Sequence, residues 1–99
     1  MSIYNNLASL LTVYFCNEFY EDGIKRLKHD IEHHENYAQV WEKIVISIQD
    51  REFLPGQPLE LIHCKANQML DENTDEEAYK WLDLMVQNVQ QTNGEIESY

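Results

Sequence analysis

Apolar side chains recur along this chain at intervals of three and four, and no other feature limits its fold as much. Tyr37, Val40, Trp41, Ile44, Val45 and Ile48 occupy i, i+3, i+4 and i+7 positions without a break. At about 3.6 residues per turn, a helix gathers them into one stripe. A strand would need strict alternation, and Val45 breaks it. The same period runs through four further segments: Ile3, Leu7, Leu10, Leu11 and Tyr14; Ile24, Leu27 and Ile31; Leu59, Ile62, Ala66 and Met69; and Ala78, Trp81, Leu82, Met85 and Val89. Residues 10–16 are also rich in strand-favouring side chains, so a strand there, within an α+β fold, is the alternative to the first helix.

The punctuation fits five helices. Residues 17–23 read as a connection with aromatic anchors, and Asp22 is placed to cap the second helix. Residues 33–36 close that helix, and Asn36 with Gln39 resembles a capping box for the third. Pro55-Gly56 marks a turn, and Pro58 suits the first turn of the fourth helix, where a missing N–H costs nothing. Thr74 with Glu77 predicts a reciprocal cap on the fifth helix, and the carboxylates of its first turn suit the helix dipole. Asn93-Gly94 is a stop signal, and residues 95–99 are expected to fray. The expected fold is a single all-α domain, residues 1–99, built as a compact bundle of about five helices.

A chain of 99 residues with 43% hydrophobic content is long enough for one modest core. It has no run of the roughly 18 apolar residues that would suggest a membrane span. The N-terminus lacks the basic residues of a secretory signal. Cys16 and Cys64 are too few for a disulfide scaffold and are expected as reduced, buried thiols in a cytoplasmic protein. The formal net charge is −11, from 18 acidic and 7 basic residues. That balance disfavours phosphate backbones and anionic lipid, and suits a basic protein partner.

Equipment for catalysis is sparse. His29 and His33, four apart, would share a helix face, and His63 could join them as a third metal ligand. The glutamate that follows the first histidine of a zinc protease helix is replaced by Asp30. With three glycines, phosphate loops and nucleophile elbows have little material. The acidic charge itself is uneven: residues 51–99 carry −7, from ten acidic and three basic residues, against −4 for residues 1–50. Its densest run is Asp71, Glu72, Asp75, Glu76 and Glu77, which reads either as a solvated capping face or as a docking patch. A second acidic group is Glu18, Glu21 and Asp22. Trp41 and Trp81 lie on apolar stripes and belong to the core. Tyr14, Phe19, Tyr20 and Tyr79 are the aromatics expected at a partly exposed contact surface.

The order of these features resembles a family of small immunity proteins from bacterial contact-dependent growth inhibition systems. The run Leu10-Leu11-Thr12-Val13-Tyr14-Phe15-Cys16-Asn17-Glu18-Phe19-Tyr20-Glu21-Asp22-Gly23 carries the likeness. It contains a Tyr-Phe pair, a short polar step, an acidic residue before an aromatic, and a glycine ahead of a helix. Glu18-Phe19 stands where the family commonly has Asp-Trp. The closing Trp81-Leu82 pair within an amphipathic pattern is similar as well. The resemblance implies a non-enzymatic cytoplasmic protein without cofactor or small-molecule substrate. Such a protein binds the C-terminal toxin domain of a cognate exported effector, frequently a nuclease and often an RNase. The alternatives are a small metal-dependent or histidine-using enzyme built on His29, His33 and His63, and a generic acidic adaptor for another basic protein.

Overall fold

A computed structural model describes residues 2–91 and Ile96. Within them the chain forms α1 (Ile3–Tyr14), α2 (Tyr20–His33), α3 (Glu35–Gln49), α4 (Gln57–Glu60), a π-helical turn (Leu61–Lys65) and α5 (Asp75–Gln90). There is no strand among the described residues, and the fold is an all-α bundle of five helices. No helix among them is long and apolar enough to cross a membrane.

The strand alternative for residues 10–16 is overturned. α1 runs through Tyr14 and buries Leu7, Leu10, Leu11 and Tyr14 on one face. On a strand, Leu10 and Leu11 would point to opposite sides and only one could reach the core. Burying such a side chain is worth roughly 1.5–3 kcal/mol, more than the ~1 kcal/mol spanned by strand propensities. Thr12 stays helical by donating its hydroxyl to the Ala8 carbonyl at 2.9 Å. Ser2 caps the helix by accepting from the Asn5 amide at 3.1 Å.

The connection expected over residues 17–23 is shorter than its composition suggests. α2 begins at Tyr20, its N-cap is Phe19 without a side-chain cap bond, and Asp22 lies inside the first turn rather than at the cap. Gly23 is therefore a helical residue. A Cβ there would lie 2.4 Å from the Tyr14 carbonyl oxygen and 2.7 Å from the Phe15 ring. Glycine permits α1 and α2 to approach this closely.

α3 follows after His34 alone, and His34 rather than Asn36 is its N-cap, with no side-chain bond, so the expected capping box does not form. Trp41, Ile44, Val45 and Ile48 are buried as their spacing predicts. Past α3, Arg51 adopts φ 53° and Gly56 φ 87°, both left-handed. The fourth segment keeps its expected stripe through Ile62 and Ala66, both buried. Its helix widens into the π turn, where the Ala66 amide donates to the Leu61 carbonyl at 2.9 Å. The helix ends there, and Asn67 turns left-handed at φ 54°. Beyond that turn Leu70 is buried, while Met69, expected on the stripe, is 90% exposed.

α5 starts at the predicted Thr74 cap, whose hydroxyl oxygen accepts from the Glu77 amide at 3.2 Å. Asn93, Gly94 and the 95–99 tail, for which a stop and fraying are expected, lie outside the described residues. The buried faces meet in one cluster centred on aromatic rings. Phe15 and Trp81 pack edge to face at 5.3 Å, and Tyr20 does the same with Trp81 at 5.6 Å.

Candidate functional site

The run from Asp71 to Glu77 is only partly available to a partner. Asp71 and Glu72 are exposed in the loop before α5, and Glu76 is exposed in its first turn. Asp75 instead faces inward across the molecule. Its carboxylate accepts from the Gly56 amide at 2.8 Å and from the Leu59 amide at 3.2 Å. Gly56 is the N-cap of α4 and has no side chain to cap it, so Asp75 satisfies two of that helix's open amides from a distance. Glu77 accepts from Lys80 at 3.0 Å. Asp75 thus ties α5 to the start of α4, and Glu77 pairs within α5.

The second acidic group has a different character. Glu18, Glu21 and Asp22 are all exposed around the step into α2. Arg26 pairs with Glu18 at 3.1 Å and Lys25 with Glu21 at 3.5 Å, both at the surface. Exposed pairs of this kind contribute little and exchange readily with solvent or a competing cation. Phe19 sits in their midst and is 82% exposed. An aromatic ring left in water among three carboxylates has no role in the core.

The other aromatics expected at a contact surface are occupied internally. Tyr14 is buried, which corrects its expected exposure. Tyr20 is half-buried; its ring packs on Phe15 and Trp81, and its hydroxyl accepts from Asn88 at 2.9 Å. Tyr79 is half-buried beneath Arg51, whose guanidinium lies 4.4 Å from the ring centre. Arg51 also makes a two-pronged bond to Asp83 at 2.7 and 3.0 Å. Burial raises the pKa of both Tyr20 and Tyr79 above the ordinary 10.0.

His29 and His33 do share a face of α2, with ring centres 4.1 Å apart. His33 Nδ1 lies 2.8 Å from the His29 carbonyl, the bond of an ordinary helical histidine. His63 sits in the π turn with Asn67 and Gln68 for neighbours. Among the described residues no three His, Cys, Asp or Glu side chains form a group able to hold a metal ion. Cys16 is half-buried and Cys64 exposed, so the expectation of two buried thiols is corrected. Leu61 and Ile62 at the start of the π turn take the core positions, and its polar end, His63 to Lys65, carries Cys64 outward.

Comparison with known proteins adds nothing to this geometry. No family model, curated protein or solved structure matches the chain.

Two features escape the sequence reading. The Arg51–Asp83–Tyr79 assembly joins residues 32 positions apart, a separation at which nothing in the sequence pairs them. Asp30 lies on α2 beside the apolar stripe of Leu27 and Ile31 and accepts the Tyr14 hydroxyl. A carboxylate at the edge of an apolar stripe was the available signal for it.

Proposed function

We propose that this chain is a cytoplasmic immunity protein that binds and neutralises a basic nuclease toxin domain of a contact-dependent growth inhibition effector. The observation that carries the reading is Phe19, 82% exposed at the N-cap of α2, with the exposed Glu18, Glu21 and Asp22 beside it in the chain. A large aromatic of this kind is the usual anchor of a protein interface. Carboxylates around it supply the field that draws a positively charged partner. Glu72, in the loop before α5, and Glu76, in its first turn, are also exposed and add to the negative potential of the chain. The net charge of −11 supports the complement, because a nuclease must present a cationic groove to phosphate. A stable interface of standard size would bury about 1,600 Å².

In this reading Phe19 provides affinity and the acids provide speed. Phe19→Ala lowers affinity by about 2 kcal/mol, or about thirtyfold in Kd. Reversing Glu72 and Glu76 to lysine slows association and flattens its salt dependence, with a smaller effect on dissociation. Stopped-flow mixing with the toxin domain at low and high salt separates the two. An affinity unchanged in Phe19→Ala and a rate indifferent to salt would remove the reading.

A further inference from the structure

Between α1 and α3 runs an open groove of about 540 Å³, with Asp30 contributed by the last turn of α2. Leu10 and Val13 line it from α1, and Val40 and Ile44 from α3. Val13 is 56% exposed, an unusual position for a β-branched apolar residue with no partner beyond the groove. The Tyr14 and Tyr37 rings lie at one part of the wall, 6.3 Å apart and tilted by 39°. Tyr14 donates its hydroxyl to Asp30 Oδ2. Among the described residues no donor reaches Asp30 Oδ1, and Asp30 enters no ion pair. Arg26, one turn earlier on α2, pairs with Glu18 instead.

These features select the chemistry of an occupant. A purely apolar group would cover a half-buried carboxylate that holds a single hydroxyl bond, and desolvating such a charge is costly. A purely polar group would leave the Leu10, Val13, Val40 and Ile44 surface in water. A cation on a methylene stem satisfies both parts. The Tyr37 ring lines the same groove, within the class of aromatics that favour a cation.

We propose that this groove receives a lysine or arginine side chain of a basic protein partner, its stem on Val13 and Val40 and its cationic head on Asp30. The inference rests on the basic-partner reading above and adds a second point of attachment, at the opposite end of α2 from the Phe19 turn. Net charge supports it: an unpaired carboxylate in a chain of −11 meets its complement on a cationic surface.

Butylguanidinium, an arginine side chain without its backbone, is the direct probe, with 1-butanol as its neutral counterpart. Both are titrated into the full chain while the Val13 and Val40 methyl and Tyr37 ring resonances are followed by NMR. Butylguanidinium should give saturable shifts at these residues, and butanol should bind about tenfold more weakly or worse. Asp30→Asn, which keeps an oxygen for the Tyr14 hydroxyl, should weaken butylguanidinium by about tenfold. If that variant fails to fold, the comparison of the two probes on the unaltered chain decides. Shifts that do not saturate, or that butanol reproduces equally, overturn the proposal. Saturation at the groove by the probe, with a toxin domain that does not bind, would remove the immunity reading alone. Toxin binding with a silent groove would remove this inference alone.

Discussion

At the scale of single residues, two acids and a glycine divide structure from function. Asp75 belongs to the densest acidic run, yet its carboxylate serves the Gly56 and Leu59 amides. Asp75→Ala should therefore destabilise the fold by about 1–2 kcal/mol and leave the association rate with a basic partner close to unchanged. Urea unfolding and stopped-flow binding check the two halves. Glu76 is the converse case, exposed one residue later; its substitution should leave stability alone and slow association. Gly23 tests the close approach of α1 and α2. Alanine is the better helix former by about 1 kcal/mol, so propensity alone predicts that Gly23→Ala stabilises. The Tyr14 carbonyl at 2.4 Å from the added Cβ predicts the reverse. A loss of about 1–3 kcal/mol in unfolding free energy, measured by urea unfolding, is expected, the range for an overpacked core.

At the scale of elements, the helices were legible wherever one stripe of side chains decided the matter. α3 and α5 have the spacing, and α5 also has its Thr74 cap, so both stand where their residues put them. The failures have specific causes. α2 starts at Tyr20, three residues before Gly23, because the glycine answers tertiary crowding inside a helix and not a turn. The Asn36 cap failed because His34 alone bridges two helices and leaves no room for a loop. The fourth segment slips only at Met69, because the helix ends at Lys65 and Asn67 takes a left-handed turn that apolar spacing does not reveal. That slip is testable. Met69→Ser should change stability by less than about 0.5 kcal/mol, while Leu70→Ala should cost about 2 kcal/mol. Equal costs would restore the uninterrupted helix. Of the candidate site, charge was legible and engagement was not. Nothing local shows that Asp75 reaches back to the α4 cap or that Tyr79 lies under Arg51, whereas the exposure of Phe19 follows from its place outside every stripe.

At the scale of the molecule, tyrosines and carboxylates govern opposite ends of behaviour. Burial raises the pKa of Tyr14, Tyr20, Tyr37 and Tyr79 above 10.0, and their hydroxyls stay protonated in the fold when the unfolded chain has begun to ionise. A raised folded pKa gives stability that is intact below the unfolded value and lost as pH climbs through the folded one. Stability should thus hold to about pH 9 and fall steeply above about pH 10. Urea midpoints across that window, read beside tyrosinate absorbance, check the sign. The negative field acts instead on partners. All 18 acids could be solvated without purpose, since acidity alone keeps many proteins soluble; the exposed Phe19 beside three of them is what the proposed reading adds. The claim that the chain neutralises a basic nuclease is met most directly by RNA cleavage. On the proposed reading the toxin domain is the C-terminal part of an exported protein encoded beside this chain, and it is titrated with the chain at constant substrate. Cleavage should fall in proportion to added protein and vanish near one equivalent, and Phe19→Ala should need a large excess. Cleavage that continues undiminished at such an excess of the unaltered chain would contradict the claim.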